Sequence, residues 1–174
     1  MSLKQHYASA MEKLYMLCVV ISGVALVSIT LIIPFGVFMR YIMNDPQSWP
    51  EPAAVVMMVL FSFVGGAAVY RANVHIAVES LTQAVGPALR GYMAHLVQAL
   101  MFLMALFMTG YGLELSRITW NQSVPEFPGL PVGLVYGPIP LGGVLTLLFL
   151  LEKVWLGPVP KTSFMFSDEA VEME

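Results

Sequence analysis

Apolar positions along this chain do not alternate with polar ones; they run on uninterrupted. Four stretches carry no Asp, Glu, Lys or Arg: Leu14 to Met39, Pro52 to Tyr70, Gly91 to Leu113 and Phe127 to Leu151. A helix needs about 20 mostly apolar residues to cross roughly 30 Å of hydrocarbon. Each of the four stretches meets that length, and no other stretch does. The period-two polarity of a membrane β-barrel is absent, so the backbone groups must be satisfied inside helices. The pattern predicts an all-α membrane protein with four transmembrane helices, at about 14–39, 52–70, 91–113 and 131–151. These form a membrane domain over 1–158, followed by an acidic tail over 159–174.

Shorter periodic segments lie between the spans. Leu3, Tyr7, Ala10 and Leu14 share a helical face ahead of the first span, and Val74, Val78, Leu81, Val85 and Leu89 do so between the second and third. Both predict short amphipathic helices lying in the membrane interface. Pro34 falls late in the first span and removes the amide that would bond to Thr30, which predicts a kink. Asn44 to Ser48 is turn chemistry, and Ser48 with Glu51 has capping-box spacing ahead of span two. Pro52 either removes an early helical bond or delays the regular helix. Small residues mark two spans. Ser62 and Gly66 have the spacing that lets helices approach closely, and Gly129, Gly133 and Gly137 recur every four residues, followed by Pro138 and Pro140. That ridge predicts packing against protein, because lipid cannot satisfy backbone groups freed by Pro and Gly.

Composition agrees with the pattern. With 58% hydrophobic and 11% charged residues, a soluble domain of this length could not cover its surface. The positive residues are uneven: Lys4, Lys13, Arg71, Arg90, Lys153 and Lys161 fall on one side of the predicted topology, and only Arg40 and Arg117 on the other. By the positive-inside rule both termini and the Arg71–Arg90 connection face the cytoplasm. The first apolar run is too long for a signal-peptide core and reads as an anchor. The lone Cys18, inside that run, excludes a disulfide framework and reads as a small buried apolar side chain.

Candidate chemistry is sparse. Proton and ion pathways usually need ionisable groups inside the bilayer, and none lies at mid-span. Glu114 comes closest, with Arg117 three residues on as a helical ion-pair partner. No phosphate-binding glycine loop, paired carboxylates or Ser-His-Asp pattern appears, so no catalytic or metal-binding residue is assigned. His75 and His95 fall at similar predicted depth, which keeps a haem- or quinone-associated anchor of a redox enzyme as an alternative, beside two plain interfacial histidines. An independent small channel is a third reading.

From Met39 to Leu81 the chain reads MRYIMNDPQSWPEPAAVVMMVLFSFVGGAAVYRANVHIAVESL. This resembles the small permease subunit of tripartite ATP-independent periplasmic (TRAP) transporters, the DctQ family. The resemblance rests on Arg40-Tyr41 closing the first span, then Trp49 and Glu51, Gly65-Gly66, Arg71, and the run His75, Ile76, Val78 and Glu79. Leu130 to Leu141, with Pro131, Tyr136 and Pro140, looks like the family's last span. The family commonly has two adjacent acidic residues after the Trp, where this chain has Glu51 alone. The resemblance implies no cofactor and several partners: a large multi-span permease subunit that carries sodium and an organic acid, and a periplasmic substrate-binding protein. It implies a scaffold role in the bacterial inner membrane, with Arg40, Trp49, Glu51 and Trp120 at the outer face and Arg71, His75 and Glu79 at the inner. Gly66, Gly133 and Gly137 complete the candidate partner-interface set.

Overall fold

In the computed structural model, residues 3–72 and 87–156 are described. Four long helices dominate: α1 (Leu3–Tyr41), α2 (Pro50–Arg71), α3 (Pro87–Ile118) and α5 (Pro138–Leu156). Between α3 and α5 lie a two-stranded hairpin, β1 (Ser123–Val124) and β2 (Phe127–Pro131), and a single-turn helix α4 (Val132–Tyr136). Four segments are long and apolar enough to span a membrane: His6–Tyr41, Pro50–Arg71, His95–Ile118 and Val132–Trp155. The expected all-α class and four spans hold. The amphipathic segment expected between spans two and three lies largely outside the described residues, as do the acidic tail, His75 and Glu79.

The N-terminal segment is not a separate interfacial helix. It runs unbroken into span one as a 39-residue helix, about 58 Å long at 1.5 Å per residue. The helix continues past Pro34, whose ring leaves the Thr30 carbonyl without its helical amide. The helix closes where Asn44 takes a left-handed φ of 55° and the Asp45 amide donates to the Met39 carbonyl at 3.0 Å, a conformation Asn tolerates better than most residues.

Span two begins without the expected capping box. Trp49 is the N-cap, no side chain caps it, and Pro50 opens the helix. The Ala53 amide gives the first helical bond, to the Trp49 carbonyl at 3.0 Å. Pro52 therefore occupies a position whose amide has no partner in any helix, and its ring costs no bond.

Span four is broken. Pro138 and Pro140 have no amides to offer the carbonyls of Leu134 and Tyr136, so the Gly137 amide tightens onto the Leu134 carbonyl at 3.1 Å and α5 starts afresh. The expected glycine ridge does not form: Gly129 lies in β2, Gly133 in α4 and Gly137 between helices.

The helices pack in the order α1, α2, α5, α3, each against its neighbour, with α1 and α3 at opposite ends. Among the described residues the arrangement is a row, closed at one end where α1 also touches α5. Burial follows position: the Val132–Trp155 span buries 44% of its apolar window and the terminal His95–Ile118 span only 11%. Close approach explains the centre. A Cβ on Gly142 would stand 2.7 Å from the Phe63 carbonyl oxygen of α2, and one on Gly143 would stand 2.9 Å from the Ala105 carbonyl oxygen of α3. Adjacent glycines on opposite sides of α5 thus admit one neighbour each, the small-residue packing that lipid favours.

Candidate functional site

The row has two polar ends, and they differ in construction. At one end meet the start of α1, the end of α2 and the end of α5. Arg71 is 6% exposed, and Glu152 is as deeply buried. The guanidinium grips Glu152 with both arms, Nε to Oε2 at 2.7 Å and Nη2 to Oε1 at 2.9 Å. Its remaining arm, Nη1, donates to Glu12 Oε2 at 3.0 Å. Such forked, charge-assisted bonds are the strong ones. Two rings complete the enclosure, with the Arg71 Cζ 5.2 Å from the Tyr15 centroid and 5.7 Å from that of Phe149. The Lys153 ammonium stands 5.7 Å from the Tyr70 ring.

This cluster depends on the first two turns of α1. Met11 is buried in the core, and Tyr7 packs edge-on against Trp155 at 5.6 Å. The helical face seen in the sequence at Tyr7 and Leu14 is real, but it faces α5 and the core rather than a membrane interface.

The other end is open. Arg40 Nη2 and Glu51 Oε1 pair at 2.8 Å with side chains 47% and 75% exposed. Trp49 leans on Phe35 with centroids 5.8 Å apart, and Gly36 lets Pro50 approach α1. Together these leave a cleft of about 60 Å³ beside the ion pair. The hairpin rises at this same end, in the stretch between the third and fourth predicted spans. Val124 pairs with Phe127 and Ser123 with Pro131, and the Val132 amide ties the hairpin back to the Gln122 carbonyl at 2.7 Å. Trp120 is half exposed and also backs onto Gly133.

Several sequence candidates therefore land differently. Arg71 is enclosed by its own chain and offers a partner no surface. Gly133 is taken up internally: its carbonyl accepts the Ser116 hydroxyl at 2.5 Å, and any Cβ there would collide with the Ser116 carbonyl and Trp120. A Cβ on Gly137 would stand 3.0 Å from the Leu134 carbonyl oxygen of its own turn. On α2 it is Gly65, not Gly66, that meets α1, at Ser22; a Cβ on Gly66 would meet nothing within 4 Å. Glu114 and Arg117 are both exposed and form no ion pair with each other. Arg40, Glu51, Trp49 and Trp120 are brought to one end. Glu12 and Glu152 are the residues that sequence reading passed over. Their signal was faint: each sits at the end of a span predicted to lie on the same side as Arg71.

Four helices long and apolar enough to span a bilayer, with charges confined to their ends, define a multi-span membrane protein. Residues 29–157, most of the 174-residue chain, match the family described as tripartite ATP-independent periplasmic transporters, DctQ component. The chain belongs to that family, and so is a transporter component rather than an enzyme. No curated protein matches it. Membership displaces the redox-anchor alternative, whose His75 lies outside the described residues.

Proposed function

We propose that this chain is the stationary scaffold subunit of a tripartite transporter, supporting sodium-coupled uptake of an organic acid by a large permease subunit. In this reading a periplasmic binding protein delivers the substrate, and the complex sits in a bacterial inner membrane with both termini cytoplasmic. One observation carries the reading beyond family membership. Among the described residues the deeply buried charges, Arg71 and Glu152, are engaged with one another at one end of the row, and the middle of each span has no ionisable group to bind a moving ion.

The positive-inside bias sets the Arg71 end on the cytoplasmic side and the Arg40–Glu51 end with the hairpin on the periplasmic side. Arg40, Trp49, Glu51 and Trp120 then lie where a binding protein docks, His75 and Glu79 lie at the inner face, and Gly66 is open to a neighbouring helix. Residues 1–158 form the membrane domain and 159–174 a cytoplasmic tail. Reconstitution tests the reading. Liposomes holding this chain alone should take up no organic acid, and uptake should appear only with the large subunit, the binding protein and a sodium gradient. Uptake by this chain alone would overturn it.

A further inference from the structure

Arg40 stands at a defined depth. It follows directly on Met39, the last residue of the charge-free run of span one, so it lies where hydrocarbon gives way to lipid headgroups. The cleft beside it is amphiphilic in the same order. Ile33, Gly36 and Val37, one and two turns before Arg40 on α1, form its apolar part, and Gln47 and Glu51 join Arg40 at its polar rim. Ile33 and Val37 are about half exposed. Gln47 is steadied by Asp45, its amide donating to that carboxylate at 3.0 Å. The Arg40 guanidinium spends only Nη2 on Glu51. Among the described residues its Nε and Nη1 make no hydrogen bond, and Glu51 Oε2 accepts none. Every arm of Arg71 is engaged; here a cation and an anion stand side by side with bonding capacity left over.

We infer that this cleft binds the headgroup of a phospholipid carrying a primary amine, of the phosphatidylethanolamine class. The lipid phosphate takes the free arms of Arg40, its ammonium takes Glu51, and the start of an acyl chain lies along Ile33 and Val37. Depth selects a lipid, because the headgroup layer is what surrounds a spanning helix at this level. Charge then selects among lipids. A guanidinium fork matches a phosphate with parallel N–H bonds. A primary ammonium brings three donors to the carboxylate, whereas the quaternary ammonium of phosphatidylcholine brings no N–H. Phosphatidylglycerol has no cation and sets its negative charge against Glu51. Both charged groups belong to this chain, so the site is complete without any other subunit.

The test is native mass spectrometry of the detergent-solubilised full chain, titrated with phosphatidylethanolamine, phosphatidylglycerol or phosphatidylcholine of identical acyl chains. The ethanolamine lipid should bind about tenfold more tightly than either of the others, and Arg40→Ala should lower its affinity about tenfold. Glu51→Gln should keep phosphate binding but erase the preference over phosphatidylglycerol. Arg117→Ala, which removes an exposed cation near the same end of α3, should change neither. Equal binding of the three lipids overturns the inference, as does a loss from Arg117→Ala matching that from Arg40→Ala. Displacement of the lipid by millimolar inorganic phosphate also overturns it, since the cleft would then be a site for free anions. Should Arg40→Ala not be monodisperse, the Glu51→Gln selectivity decides: a preference that survives it overturns the site, and one that vanishes supports it.

Discussion

Arg71 with its two glutamates and Arg40 with Glu51 are the same chemical pairing at opposite ends of one row, yet they are built to different standards. Arg71 has a side-chain exposure of 3%, three charge-assisted bonds and two aromatic neighbours. Arg40 has one bond and is half in solvent. Enclosure of a charge is worthwhile only when every arm of the guanidinium finds a partner, because the desolvation of both ions must be offset. An exposed pair escapes that cost and gains correspondingly little. The difference separates an end that holds the helices together from an end that remains available to something else.

The comparison can be broken most forcefully at Arg71. Arg71→Met strands Glu152 in an apolar setting and should cost about 3–5 kcal/mol, read as a large drop in the melting temperature of the detergent-solubilised chain. Adding Glu152→Leu should restore most of that loss, since a well-packed apolar pair can replace a buried ion pair. A double variant as unstable as the single would mean that the cluster does more than satisfy its own charges. Glu12→Gln removes a single bond from a side chain that is 35% exposed, and after discounting for screening the expected loss is about 1 kcal/mol. The same melting assay checks it. Arg40→Ala or Glu51→Gln should change stability by no more than about 0–1 kcal/mol. Either substitution should instead weaken stimulation of uptake by the binding protein in reconstituted complexes. The smallest effect is a salt titration: raising ionic strength should erase the difference between wild type and Arg40→Ala and leave the Arg71→Met deficit in place.

Much of this fold was legible because a bilayer imposes a minimum apolar length on each helix that crosses it. The four charge-free runs needed no tertiary knowledge, and the Arg40-to-Glu79 pattern located the family. Features that depend on which helix meets which were not legible. Glu12 and Glu152 look like ordinary interfacial residues until α1 and α5 are placed on either side of Arg71. The capping box at Ser48 and Glu51 failed because Pro50 and Trp49 set the start of α2 by backbone geometry, and Glu51 turned to Arg40 instead. The glycine repeat of span four misled because Gly129 lies in β2, ahead of any helix, and the helix holding Gly133 ends at Tyr136, before Pro138. Gly65 and Gly66 show the limit most plainly: adjacent and chemically identical, one is packed and the other open, and only the rotation of α2 distinguishes them.

The packing order α1, α2, α5, α3 carries a further consequence. Four helices in a line have two broad sides and, among the described residues, no lumen between them. A chain of this form is shaped as wall rather than as channel, a flat element with two sides against which other components of a complex can lie.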